Sequence, residues 1–154
     1  MGLSKLSSLY REVILDHADH PHHKQELTAS TKNITLKNPT CGDVINLEIN
    51  LNDDDIIEDI GFTGDGCTIS QSSASMMTDA VLGKSKEEAL KMAKTFSDMV
   101  MGTEHPQVDL DELEDAAILS SIMSFPARIK CATLSWWALQ RALLNDEVGQ
   151  EEEL

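Results

Sequence analysis

Pro39-Thr40-Cys41-Gly42-Asp43-Val44-Ile45-Asn46-Leu47-Glu48-Ile49-Asn50-Leu51 runs from a turn into a strand. From Asp43 onward apolar and polar residues alternate. Ile45, Leu47, Ile49 and Leu51 share one face while Asn46, Glu48 and Asn50 share the other, the period of a half-buried strand. Just ahead of it, Cys41 and Asp43 stand two residues apart, a spacing that aims both side chains the same way in extended backbone. Gly42 between them has no Cβ, so a metal, a second sulfur or a partner's side chain can approach the backbone there.

Two more strands flank this one. Asn33-Ile34-Thr35-Leu36 reads as a strand before it. The Asn52-Asp53-Asp54-Asp55 turn then leads into residues 56–63, with Ile60 and Phe62 inward. Three successive strands with short connections predict an antiparallel sheet with one face covered.

Helical patterns on both sides supply the cover. Leu6, Tyr10, Val13, Ile14 and His17 recur at helical spacing before Pro21. A helix over residues 70–82 is rich in small polar side chains (Ser70, Gln71, Ser72, Ser73, Ser75) and closes at Gly83. Ser85-Lys86-Glu87-Glu88 opens another with a capping pattern. Ser124-Phe125-Pro126 starts the last, whose core stripe is Ile129, Ala132, Trp136, Leu139 and Leu143, beside a small-residue face of Cys131, Ser135, Ala138 and Ala142. The expected fold is α+β, a small three-stranded antiparallel sheet covered on one face by several helices, in a single domain spanning residues 1–154.

Three polar stretches read as solvated. His17-Ala18-Asp19-His20-Pro21-His22-His23 holds four histidines in seven residues and could bind a metal by composition, but its proline and polar run read as part of an exposed N-terminal arm over about residues 1–30. The acidic run of residues 109–115 reads as the solvated face of a helix start. The acidic residues of about 146–154 read as a disordered tail.

Composition narrows the class. Twelve basic against 27 acidic residues give a net charge of −15, and aromatics make up 4% of the chain, which argues against binding nucleic acid or anionic lipid. Three cysteines cannot all pair with one another, no apolar leader follows the start, and no stretch approaches the ~20 apolar residues of a membrane span. A reducing cytoplasm is the expected setting.

The cysteines carry the chemistry. Cys67 follows Gly64-Asp65-Gly66 at the end of the third strand, where the start of the next helix favours an anionic thiolate. Cys131 falls within the first two turns of the last helix, with Arg128 and Lys130 beside it. Three thiols and the Asp43 carboxylate make a four-ligand set suited to zinc or, in sulfur-rich tetrahedral form, to iron. Free cysteines are commonly just small buried hydrophobes, but glycines at the strand ends waste packing and open a site instead. One close pair of ligands plus two distant singles, with a carboxylate among them, suits a site that must exchange a ligand.

Taken together, Cys41-Gly42-Asp43, Gly64-Asp65-Gly66-Cys67 and Pro126-Ala127-Arg128-Ile129-Lys130-Cys131 resemble the motifs of the IscU-type iron–sulfur assembly superfamily, and within it the SufU branch. Tyr10-Arg11-Glu12-Val13-Ile14-Leu15-Asp16-His17 stands where the family carries a comparable segment. Scaffolds of the IscU type have a histidine directly before the last cysteine; here that residue is Lys130. The resemblance implies a sulfurtransferase-like protein that takes persulfide sulfur from a SufS-like, pyridoxal-phosphate cysteine desulfurase and passes it to downstream iron–sulfur assembly proteins. Cys41 would be the acceptor, and Cys41, Asp43, Cys67 and Cys131 the zinc ligands. Two alternatives stand beside it: a scaffold on which the same residues hold a transient iron–sulfur cluster, and a zinc-stabilised interaction module.

Overall fold

The computed structural model describes residues 8–39, 42–144 and 150–153. The alternating stretch is the middle of the sheet: β2 (Asp43–Leu51) pairs antiparallel with β1 (Lys32–Asn38) on one side and with β3 (Ile57–Thr63) on the other. The register sets Asn38 opposite Asp43 and Ile49 opposite Ile60. Period-two alternation then dictates the faces, except at Ile57, three residues before Ile60, where the β2–β3 register shift resets the parity. Ile34 and Leu36 of β1, Ile45, Leu47 and Ile49 of β2, and Ile57, Ile60 and Phe62 of β3 are all buried on the helix-covered side. Asp43 has the same parity as Ile45, so its carboxylate is drawn to that inner face as well, where it is 1% exposed. Leu51, expected on the core face, is only partly buried because the β2–β3 register shifts between Asn50 and Leu51.

The three antiparallel strands expected from the sequence gain a neighbour. Gln150–Glu153 forms β4, which pairs parallel with the free edge of β1 from Ile34↔Gln150 to Lys37↔Glu153, giving the order β3-β2-β1-β4. The acidic tail expected to be disordered is therefore ordered over these residues. Strand pairing satisfies backbone groups, and the open edge of β1 offers them whatever the side-chain composition.

Helices fill one face. Ser8–Asp19 is α1, Thr68–Val81 α2, Lys86–Val100 α3, Gln107–Asp111 α4 and Ile129–Leu144 α5. Ser85 caps α3, its Oγ accepting the Glu88 N–H at 3.2 Å, as the capping pattern predicts. The last helix is more deeply set than a one-stripe helix: α5 packs on β1 and β2 and also against α2 and α3. Both its stripes are consequently buried, Trp136, Leu139 and Leu143 on one and Cys131, Ser135, Ala138 and Ala142 on the other. Trp136 stacks on Phe96 of α3 with ring centroids 4.6 Å apart and planes 9° from parallel. Burying each large side chain of this kind contributes roughly 1.5–3 kcal/mol.

The serines of α2 have the same cause. Ser70, Ser72, Ser73 and Ser75 are buried, since α2 lies against α1 and α5 and only small side chains allow that approach. Their hydroxyls find partners inside: Ser72 Oγ donates to the Ile69 carbonyl at 3.2 Å, and Ser73 Oγ donates across to the Ala132 carbonyl of α5. The acidic region after α3 forms the short α4 and then a 3-10 segment, Glu114–Ser124, which together with Leu113 just before it buries Ala116, Leu119 and Ile122 and leaves Glu114 and Asp115 exposed. Among the described residues no helix is long and apolar enough to cross a membrane.

Candidate metal centre

Three elements remote in sequence bring their ends to one place. Asp43 opens β2, Cys67 caps α2, and Cys131 is the third residue of α5. One ligand atom from each of these residues lies within 4.8 Å of the other two. Cys41, expected as fourth ligand and acceptor, lies outside the described residues.

Local backbone geometry explains how the chain turns here. The loop joining β1 to β2 closes with the Gly42 N–H donating to the Asn38 carbonyl at 2.8 Å, and Gly42 sits at φ +75°, a left-handed conformation that glycine adopts without strain. After β3, Gly64 takes φ +116° and passes so close to β2 that a Cβ there would meet the Val44 carbonyl oxygen at 2.1 Å. The Val44 N–H donates to the Asp65 carbonyl at 2.8 Å, pinning this turn to the start of β2. Asp43 and Cys67 are thereby locked side by side. The Cys67 N–H donates to Asp43 Oδ1 at 3.1 Å, and the Ser70 N–H donates to Cys67 Sγ at 3.5 Å.

Gly66 is needed for a different reason. A Cβ at this position would stand 2.1 Å from Ser70 Oγ and 2.9 Å from Asp43 Oδ1. The glycine thus keeps the space in which the carboxylate, the Ser70 hydroxyl and the helix start meet. Ser70 is a member of this site that sequence reasoning passed over as one polar residue in a serine-rich helix. Its position three residues after a helix-capping cysteine was the available signal.

One oxygen of the Asp43 carboxylate is unaccounted for. Asp43 Oδ2 is buried with no hydrogen-bond partner among the described residues, although Oδ1 is paired. A buried carboxylate oxygen without a partner is costly, and a cation removes that cost. The donor set beside it contains two sulfurs, so the residues fit a thiophilic divalent ion such as zinc. Arg128 and Lys130 are both exposed at the start of α5, outside the buried cluster.

The NifU-like N terminal domain family matches residues 9–132 of the chain. The chain belongs to this family. Among its relatives, the protein named iron-sulfur cluster assembly scaffold protein IscU from Streptococcus pyogenes serotype M1 is 54% identical over 150 residues, covering 97% of this chain and 92% of that protein. The zinc-dependent sulfurtransferase SufU of Bacillus subtilis (strain 168) is 49% identical over 146 residues, covering 95% of this chain and 97% of its own. A crystal structure from Fervidobacterium islandicum AW-1, described as a candidate iron–sulfur cluster assembly scaffold protein for the SUF system, superposes with a TM-score of 0.78 at 32% identity, covering 89% of this chain and 98% of that one. The resemblance to IscU and SufU proteins drawn from the cysteine motifs is thus met across nearly the whole chain. Members of the NifU-like family bearing these names include both scaffolds and a zinc-dependent sulfurtransferase.

The structure corrects one reading of the N-terminal region. The histidine-rich stretch is not an exposed arm throughout: His17 is 3% exposed, with its ring between Ser75 of α2 and Asp115. His22 and His23 both reach Asp79 of α2. The sequence pattern concealed this because the docking partners lie more than fifty residues away, on a helix whose serines and aspartate look solvent-directed until α1 is packed against them.

Proposed function

We propose that this chain is a sulfur acceptor in iron–sulfur cluster assembly, holding zinc through Asp43, Cys67 and Cys131 and receiving persulfide sulfur on Cys41. The observation that carries the reading is the buried Asp43 carboxylate, one oxygen of it unpartnered among the described residues, clustered with two cysteines from separate elements. A site of this make-up is poorly explained by packing, since an apolar side chain of similar volume in place of Asp43 would fill the space without the desolvation cost. The name of the Bacillus relative supports zinc and sulfur transfer.

Bound zinc would supply positive charge that stabilises the thiolates and, being redox-inert, leaves sulfur chemistry to the cysteines. The chain's residues do the rest. Asp43 is oriented by the Cys67 N–H, and Cys67 by the Ser70 N–H, so both donors are preset before any ion arrives. In the transfer, the Cys41 thiolate attacks the terminal sulfur of a persulfide on a pyridoxal-phosphate cysteine desulfurase of SufS type. The new Cys41 S–S bond forms as the desulfurase S–S bond breaks, and the electron pair leaves with the desulfurase cysteine as its thiolate. No external oxidant or reductant is consumed, because sulfane sulfur changes hands at constant oxidation state. Downstream iron–sulfur assembly proteins are the proposed recipients. Exposed Arg128 and Lys130 would meet the anionic persulfide or its carrier.

A second reading is favoured by the name of the streptococcal relative, in which the same residues hold an iron–sulfur cluster as cargo. Lys130 weighs against it, since a charged lysine cannot replace an imidazole donor at that position. Protein purified without oxygen and dialysed against a weak chelator is expected to be colourless and to retain one tightly held zinc per chain. It is also expected to stimulate a SufS-type desulfurase in a manner abolished by Cys41→Ser. Stoichiometric iron and acid-labile sulfide in a brown protein would favour the scaffold instead.

A further inference from the structure

A second group of metal-binding side chains lies away from the cysteines, where the N-terminal segment meets α2. His17, His22 and Asp79 each place one ligand atom within 4.8 Å of the others. The three come from α1, the turn after it, and the face of α2 that also carries Ser75, one helical turn earlier. The rings of His17 and His22 lie 4.7 Å apart, tilted by 47°.

Hydrogen bonds hold both ring nitrogens of His17 in place. Nε2 lies 3.0 Å from Asp115 Oδ2, and an ionised carboxylate only accepts, so Nε2 carries the proton. Nδ1 lies 2.7 Å from the Ser75 hydroxyl, which donates to it when the ring is neutral. The same Ser75 oxygen accepts the His22 backbone N–H at 2.7 Å, which is consistent with its own proton pointing to His17. A buried imidazole that donates Nε2–H to a carboxylate is oriented as a metal-ligating histidine is by its supporting acid, and an ion taking Nδ1 would displace the Ser75 hydroxyl from that nitrogen.

The backbone around the other ligands is equally fixed. The His22 carbonyl accepts from Thr78 Oγ1 at 3.3 Å, and the His23 carbonyl accepts the Phe62 N–H at 3.0 Å, tying this turn to both α2 and β3. His23 takes φ +60°, a conformation uncommon outside glycine, and its Nε2 lies 3.4 Å from Asp79 Oδ1. Asp79 is thus approached by two imidazoles. The turn holds His22 and His23 against the one carboxylate of Asp79.

We infer that His17, His22 and Asp79 form a second divalent-metal site, taking a borderline ion of the zinc class, which clamps the N-terminal helix and turn onto α2. Two imidazoles and one carboxylate select such an ion over calcium or magnesium, which prefer all-oxygen shells. Metal–ligand bonds of about 2.0–2.2 Å put tetrahedral ligand atoms about 3.4 Å apart, so the cluster must close slightly around an ion. His22 and Asp79 can do so, having side chains 46% and 34% exposed, whereas buried His17 is the fixed anchor. Their exposure also leaves the ion open to water on one side, which makes this the weaker and more readily exchanged of the two sites.

The test counts ions in the intact protein after the cysteine site has been filled. With one equivalent of cobalt bound, thiolate-to-metal charge-transfer absorption reports the cysteine site; a further equivalent at His17, His22 and Asp79 adds ligand-field bands without added charge transfer. Titration of the wild type with cobalt, and separately equilibrium dialysis with zinc, is expected to give two ions per chain. The double variant His22→Ala/Asp79→Asn is expected to stop at one while keeping the charge-transfer band and the wild-type circular dichroism. Both changes are at partly exposed positions outside the cysteine cluster, and the retained band shows that the first site is intact. A second ion should also slow tryptic cleavage after Arg11 and Lys24 severalfold in the wild type and not in the variant. A wild type that saturates at one ion, or a folded double variant that still binds two, would overturn the proposal without touching the reading of the cysteine site, whose band is scored separately.

Discussion

Replacing Asp43 by asparagine should have opposite effects in metal-free and zinc-loaded protein. The carboxylate is 1% exposed; Oδ1 accepts the Cys67 N–H at 3.1 Å with the Ser70 hydroxyl at 3.5 Å, and Oδ2 has no partner among the described residues. Asparagine keeps an oxygen that can accept the Cys67 N–H, but it removes the charge. The weakened bond costs about 1–2 kcal/mol, the difference between charged and neutral acceptors. Relief from burying the unpaired charged oxygen returns several kcal/mol, of which the amide NH2 left in its place without an acceptor takes back about 1–3 kcal/mol. Without metal the variant is therefore expected to be as stable as wild type or slightly more so. With zinc the order reverses. At free zinc 100 to 1,000 times the dissociation constant, the wild type gains about 2.7–4.1 kcal/mol. At roughly 2–4 °C per kcal/mol for a chain of this size, that is a rise of about 5–16 °C in Tm. The asparagine variant, with a neutral amide in place of an anionic ligand, should gain less than half of that. Differential scanning calorimetry on both proteins, chelator-treated and zinc-saturated, gives the four values needed. A variant destabilised by the same amount with and without zinc would show that Asp43 is an ordinary structural carboxylate, and the reasoning would be wrong.

Gly66→Ala should disturb the same centre by steric means, because the new Cβ meets Ser70 Oγ at 2.1 Å and Asp43 Oδ1 at 2.9 Å. A loss of about 1–3 kcal/mol in chemical denaturation is expected, and Ser70→Ala in the same chain should recover part of it by deleting the nearer obstacle; strictly additive losses would contradict this account. Far from the site, Asp98 accepts from Lys94 Nζ at 3.0 Å and lies 3.1 Å from His105 Nε2. Hydrogen bonding first to Lys94 and then to His105 lowers its carboxyl pKa below the ordinary value. A depressed folded pKa contributes stability above the unfolded pKa and loses it as pH falls through the folded one. The Tm gap between wild type and Asp98→Asn should be steady near neutrality and close in acid, and a gap unchanged into strong acid would refute it.

Where side-chain pattern controls structure, the sequence was a sound guide. Alternation in β2 gave its core face, and the parity of Asp43 with Ile45 follows from it. Gly64 and Gly66 marked a tight turn, and both prove to pass close to neighbouring atoms. What could not be read depended on contacts between distant segments. The Ser75 and Asp79 face of α2 meets His17 and His22 only after α1 folds back, so composition alone suggested an exposed arm. β4 depends on the open edge of β1, and an acidic segment can pair there through its backbone. Both stripes of α5 are buried because the helix lies between the sheet and α2 and α3, a placement no one-dimensional period expresses. Ser70 is linked to Asp43 through the turn at Gly66, which neither residue's own neighbours reveal.

Intact mass followed by peptide mapping tests sulfur acceptance most directly. The zinc-loaded protein is incubated without oxygen with a SufS-type desulfurase and cysteine, quenched with an alkylating reagent, and digested. One added sulfur on the peptide carrying Cys41, absent in Cys41→Ser and with no iron–sulfur absorbance after iron is supplied, is the predicted result. Added sulfur mapping to Cys67 or Cys131, with Cys41→Ser still fully active, would contradict it.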